Sequence, residues 1–194
     1  RDPSSAASDV YKRQEIIKFI IPLAFVGVLI GTFTFSYLTN DHIRMIIGLM
    51  AIIFCLDYYF RKDSDKPKKP SKFASYFWPS LSGFTSFSIH AGGLPLSFYL
   101  LPMRLDRTMY VATAGLFYLL INLFKIFPYA YLGEMNFENI YTSLLLLPLA
   151  PLGVYFGAYL VDKIGQDWFY KIGYFCTLLA GCKLFYDGSV NLFL

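Results

Sequence analysis

Long apolar runs recur along this sequence and leave the chain few ways to fold. Each run has about 20 residues, the length that an α-helix needs to cross the hydrocarbon core of a bilayer. The runs cover residues 19–38, 43–60, 109–127, 140–161 and 168–186. Of the 194 residues, 56% are hydrophobic and only 15% are charged, which is too apolar for a soluble domain. The sequence therefore predicts an all-α fold, a polytopic transmembrane helical bundle.

Cysteine and charge usage exclude several classes of function. Cys55, Cys176 and Cys182 all lie in apolar runs, and their odd number and spacing argue against a disulfide framework or a metal site. We expect them to be packing residues, with no metal and no cofactor. The net charge is +4, but six of the 17 basic residues lie in one segment, 61–72. That clustering is typical of a cytoplasmic loop and does not indicate a nucleic-acid partner.

Two segments of the chain resemble each other and indicate an internal repeat. Residues 23–31 read LAFVGVLIG and residues 149–157 read LAPLGVYFG, so that Gly27 and Gly31 match Gly153 and Gly157. A small-xxx-small pattern alone is ordinary helix-packing chemistry. Here the match extends to the next loop, where Asn40-Asp41 aligns with Gln166-Asp167. Duplication is the better interpretation, and weak internal symmetry of this kind is typical of secondary transporters.

The repeat predicts the domain organisation. Residues 15–60 form the second half of repeat one, 61–72 the basic cytoplasmic loop, and 73–194 repeat two, with a broken segment and three spans. The partner of residues 80–127 would precede residue 1, so we expect an intact protein of about 250 residues. Residues 1–14 are polar and unlike the rest of the chain. We interpret them as a probable non-native leader.

Positive charges orient the predicted spans. Lys18 precedes the first span and the second ends at the basic loop, so the first span runs from inside to outside. Residues 77–103 either cross once or dip in and return. The dipping version keeps Arg104 and Arg107 inside and obeys the charge rule better. It also makes the span at 140–161 run opposite to its repeat partner, which is an inverted-repeat topology.

The segment 86–102, SFSIHAGGLPLSFYLLP, interrupts this apolar pattern. Gly92 and Gly93 each cost about 1 kcal/mol in a helix interior and Pro95 about 3 kcal/mol, which disfavours an uninterrupted helix. Non-helical backbone at membrane depth is tolerated only where it is buried in protein or lines a water-filled cavity. The break therefore marks a candidate site.

The same region carries a family resemblance. From Gly83 onward the chain contains GFTS, HAGG followed by a proline, YLLP, an Ala-Thr pair before the next span, and N-x-x-K-x-x-P-Y. In this order the pieces closely resemble the TauE/SafE family of membrane permeases, the sulfite exporters, over about residues 16–186. Relatives with HAGG usually carry two prolines after the glycines, whereas this chain has Leu94-Pro95, so the kink can be milder. The resemblance implies a permease for sulfite or an organosulfonate in the bacterial inner membrane.

The candidate substrate pathway follows from this implication. It consists of Ser86, His90, Gly92, Gly93, Pro95, Asn122 and Lys125. A half-helix beginning near Pro95 would direct its positive end toward an anion. His90 can bind substrate or a proton, or it can satisfy carbonyls freed by the break.

The other pathway residues also leave alternatives open. Asn122 and Lys125 are three residues apart and are expected on one helical face. Lys125 can supply a fixed charge, or its ammonium can extend to the interface. Ser86 can donate to substrate or act as packing glue between helices.

Other classes of function stay open. A passive anion channel or a non-transporting membrane subunit would have the same composition, and the oligomeric state is not specified. An intramembrane hydrolase is a distant third, since a Ser-His pair needs the base held against the nucleophile and His90 is eight residues from Ser82. We expect no enzyme activity. The expected partners are a small anionic substrate and membrane lipid.

Overall fold

The fold is described from a computed structural model that places residues 3–34, 39–60, 66–133, 141 and 144–193. These residues form helices and connecting turns, without strands. The helices are α1 (Pro3–Thr34), α2 (Asn40–Phe60), α3 (Lys72–Ser88), α4 (Gly93–Leu100), α5 (Arg107–Tyr131), α6 (Leu149–Lys163) and α7 (Gln166–Phe193), and a 3-10 turn, Leu101–Met103, follows α4. The prediction of an all-α bundle is confirmed.

Among the residues that the structure describes, three helices are long and apolar enough to cross a membrane. They are Tyr11–Thr34 within α1, Asn40–Phe60 and Arg107–Tyr131. Five spans were expected from the sequence. The run at 168–186 lies in α7, where Lys171 and Lys183 lower the mean hydropathy, and the run at 140–161 lies only partly within the described residues.

The helices α3 and α4 form a hairpin that starts and ends at the same end of the bundle. Ser71 caps α3 by accepting a hydrogen bond from the Ala74 amide. The Lys68 amide donates to the Pro102 carbonyl at 2.9 Å, and further along, the rings of Trp78 and Phe98 are 5.0 Å apart. The chain therefore reverses direction within residues 77–103, which favours the version that dips in and returns over a single crossing. We call the end that carries Lys68, Arg104 and Arg107 the basic end.

Helix α1 packs closely along α3, and the two helices run in the same direction. Small residues permit the approach, since a Cβ on Gly27 would lie 1.9 Å from the Ser80 carbonyl oxygen. A Cβ on Gly83 would likewise lie 1.9 Å from the Ala24 carbonyl oxygen. Gly31 lies against the Phe87 ring one helical turn beyond Gly27. Two of the four predicted repeat glycines, Gly27 and Gly31, therefore build this interface.

Helices α2 and α7 form the second large contact and run antiparallel. A Cβ on Gly48 would lie 2.4 Å from the Phe185 amide nitrogen, and one on Gly188 would lie 2.6 Å from that of Met45. The Cys55 thiol donates to the Tyr174 carbonyl. Cys55 is a buried packing residue, as expected. Cys176 and Cys182 are exposed in the described chain, so the packing prediction is not met for these two.

The C-terminal end of α6 and the start of α7 return to the basic end. The Arg107 guanidinium donates to the Ile164 carbonyl, and the Gln166 amide nitrogen donates to the Leu105 carbonyl at 2.7 Å. The C-terminal end of α6 thus lies at the end of the bundle from which α1 starts, as the expected inverted topology requires.

The second pair of predicted repeat glycines has a different environment. Gly153 and Gly157 have no atom within 4 Å of their Cβ positions among the described residues, and α6 has no buried residue. The shared sequence motif thus packs in α1 and is exposed in α6. The domain boundaries, including the interpretation of residues 1–14 as a leader, stay predictions, and residues 61–65 of the basic loop lie outside the described residues.

Candidate functional site

The break between α3 and α4 lies where the sequence places it. Helix α3 ends at Ser88 and α4 begins at Gly93, with the buried Pro95 at its third position. A half-helix that starts near Pro95 is thereby confirmed. Helix α3 has 17 residues and a length of about 25 Å, so the tip of the hairpin lies far from the basic end.

The backbone at the tip differs from the expectation in one respect. His90, and neither of the two glycines, has a positive φ, 54°. Histidine tolerates this left-handed region better than most side chains, although at some cost. Gly92 has a different role, because its Cβ position would lie 2.6 Å from the Ser86 Cβ and 2.7 Å from the Ser82 carbonyl oxygen. Its lack of a side chain lets the hairpin close.

Lys125 is the charged side chain of this site. It is 5% exposed, and its ammonium donates to the Ser86 carbonyl at 3.0 Å and to the Ser86 hydroxyl at 3.1 Å. The sequence left open whether the ammonium extends to the interface, and its burial against α3 rules this out. A cation near the last carbonyls of a helix is stabilised by the negative end of the helix dipole.

Tyr129 joins the same helix end to α5. Its hydroxyl donates to the Phe87 carbonyl at 2.8 Å, and its ring stacks on the Phe87 ring with centroids 4.7 Å apart. The Lys125 ammonium is 5.9 Å from the Tyr129 ring centroid, and the exposed His90 ring is 6.1 Å from it. Tyr129 was not among the predicted site residues, although it is the last residue of N-x-x-K-x-x-P-Y.

The structure brings most of the predicted pathway residues together, but not all. Ser86, His90, Gly92 and Lys125 surround the end of α3, and Gly93 and Pro95 form the first turn of α4. Asn122 is exposed, whereas Lys125 is buried. Residues three apart are rotated by about 60° around a helix, so one can be buried and the other exposed on the same broad face, and the place of Asn122 in the pathway stays a prediction.

The start of α4 is a weaker anion site than expected. The Leu94 amide donates to the Ala91 carbonyl, and the Leu96 amide donates to the Gly92 carbonyl, both at 3.3 Å. These bonds satisfy part of the positive end of the half-helix, so Lys125 is the principal cationic group beside the break. No group of three potential metal ligands occurs among the described residues, so the site is built from an ammonium, hydroxyls and an imidazole.

A cavity of about 400 Å³ borders the tip of the hairpin between α2 and α7. Ile89 lines it together with Arg44, Asp187 and Asn191. Arg44 pairs with Asp41 at 3.1 Å and Asp187 with Lys183 at 2.9 Å, so these charges are balanced. The cavity places a polar opening beside Ile89 at the tip of the hairpin, at the end of the bundle away from the basic end.

Apolar helices and a broken hairpin that holds a buried ammonium are typical of membrane proteins of the transporter class. A comparison with family models agrees, because the model described as "Sulfite exporter TauE/SafE" matches residues 4–184. The chain belongs to the sulfite exporter TauE/SafE family, a family of membrane transporters. Comparisons with curated proteins and with solved structures find no match.

Proposed function

We propose that this chain belongs to a secondary permease of the bacterial inner membrane that moves a small anion, sulfite or an organosulfonate. The observation that best supports this proposal is the buried ammonium of Lys125 beside the break in the α3–α4 hairpin. An anion that leaves water needs an opposite charge or hydrogen-bond donors in its place. Lys125 supplies a charge, and the exposed His90 at the tip adds a hydrogen-bond donor.

Lys125 suits a transient binding site. An ammonium has three protons, so it can hold Ser86 and bind a substrate oxygen at the same time. Its charge is compact and lacks the planar fork with which arginine binds an oxyanion through two hydrogen bonds. Moderate affinity is useful here, because a transported anion must also leave.

The inverted topology supports carrier action. Opposite repeats that meet at a broken helix are typical of transporters that expose one site alternately to the two sides of the membrane. The alternative is a passive anion channel or a membrane subunit without transport activity, which would share the apolar spans.

Flux measurements on the intact gene product in proteoliposomes test the proposal. The vesicles are loaded in turn with sulfite, sulfoacetate and acetate, and initial efflux rates are followed as the internal concentration rises. We expect saturable efflux of one sulfur anion and little efflux of acetate. A rate that rises without saturation would favour a channel. No flux of any of the three anions from correctly inserted protein would overturn the proposal.

A further inference from the structure

Tyr129 is attached to the last turn of α3 in two independent ways. The hydrogen bond from its hydroxyl satisfies the Phe87 carbonyl, one of the groups that a helix end leaves without an intrahelical partner. The stacked ring fixes the Phe87 side chain. Because Tyr129 belongs to α5, these two contacts fasten the re-entrant hairpin to a membrane-spanning helix.

The adjacent carbonyl of the same helix end accepts from Lys125. Ser86 and Phe87 are neighbours in α3, while Lys125 and Tyr129 are one turn apart in α5. Two parallel donor–acceptor pairs therefore cross between the helices. A shift of α3 that breaks the Tyr129 bond also moves the Ser86 atoms that orient the ammonium.

We propose that Tyr129 is a positioning residue, which holds the end of α3 so that the Lys125 ammonium stays directed at the break. This inference rests on the proposed anion site and adds a residue to it that acts through Lys125. Loss of the hydroxyl weakens anion binding, because the ammonium is less well oriented. The maximal transport rate depends less on the Tyr129 hydrogen bond, because the positive charge of Lys125 is retained without it.

The test is Tyr129→Phe in the intact protein, which keeps the ring and its stacking and removes the hydroxyl. We expect KM for sulfoacetate to rise about three- to tenfold, the value of one hydrogen bond, with Vmax per inserted molecule nearly unchanged. Hydrogen–deuterium exchange of the peptide that covers residues 83–92 is expected to become faster. Tyr131→Phe is the matched control, because Tyr131 ends the same helix and is 86% exposed.

Two readouts separate this inference from the proposed function. An unchanged KM in Tyr129→Phe, beside a wild-type protein that transports, would overturn the positioning role and leave the permease intact. A wild-type protein without flux would overturn the permease. In that case the exchange measurement still decides whether Tyr129 holds α3, since equal exchange in wild type and variant would show that it does not.

Discussion

At the scale of single residues, the sequence predicts the helix break at the site, but it does not predict the backbone conformation of His90 or the burial of Lys125. Glycines beside a proline at membrane depth predict a break in any sequence of this kind. The positive φ at His90 could not be predicted from the sequence. Gly92 is the residue that tolerates a positive φ most easily, but in the structure it lies against Ser86 and Ser82 of α3. The burial of Lys125 also depends on how α5 is rotated against α3, which apolar patterning alone does not specify.

Lys125 provides the first prediction. We expect Lys125→Ala to raise KM for the anion at least about tenfold, since hydrogen bonds to charged groups contribute about 1.5–3 kcal/mol. Lys125→Arg keeps the charge and should retain most of the affinity. The measurement is concentration-dependent efflux, with Lys183→Ala as the control, because the Lys183 side chain is 74% exposed. Similar losses in Lys125→Ala and Lys125→Arg would contradict a role for the charge.

His90 provides the second prediction, and two variants separate its side chain from its backbone. Both His90→Ala and His90→Gly remove the imidazole, but only glycine adopts the positive φ without cost. If the imidazole serves transport, both variants lose flux while the amount of inserted protein is unchanged. Recovery of flux in His90→Gly alone would assign His90 to backbone geometry. His42→Ala, an exposed histidine in α2, is the matched control.

At the scale of elements, apolar length and charge predict the helices better than they predict their contacts. The positions of the lysines and arginines predict an inside-to-outside order for α1 and a returning hairpin. The contacts depend on small residues that occur in both repeats, and the sequence motif of α1 and α6 does not indicate which copy is covered. The glycine motif gives α1 and α6 the same small-residue surface, but whether another helix packs on that surface depends on the rest of the fold.

Closure of the hairpin depends on Gly92, which gives the third prediction. In Gly92→Ala the added Cβ would lie 2.6 Å from the Ser86 side chain and 2.7 Å from the Ser82 carbonyl oxygen, so α3 and α4 must separate. We expect a loss of about 1–3 kcal/mol in stability, the usual cost of overpacking, and loss of transport. The neighbouring Gly93→Ala is the control, because its Cβ meets only the end of the Tyr118 side chain at 3.3 Å.

Thermal unfolding in detergent, read by tryptophan fluorescence, measures the difference between these two variants. Trp78 lies in the hairpin and reports on the separation directly, since its ring contacts Phe98. Equal unfolding temperatures for Gly92→Ala and Gly93→Ala would show that the close approach does not stabilise the hairpin.

At the scale of the whole molecule, the hairpin determines which loops share a side of the membrane. The fourth prediction concerns single cysteines introduced into a variant from which Cys55, Cys176 and Cys182 have been removed. Cysteines at Lys69 and Thr108 should react from the cytoplasmic side, and one at Thr39 should react from the outside. The measurement compares a membrane-impermeant maleimide on intact cells and on inverted vesicles. Labelling of position 108 from outside would contradict the re-entrant fold.

The returning hairpin also has a consequence for how the protein is made. Because α3 and α4 begin and end at the basic end, a chain whose basic end faces the cytoplasm keeps Arg104 and Arg107 on the ribosome's side of the membrane throughout synthesis. A simple crossing would export both arginines against the membrane potential, at about 2.3 kcal/mol per charge for each 100 mV. The polypeptide thus places an interrupted helix deep in the bilayer, and the translocon exports neither of these two positive charges.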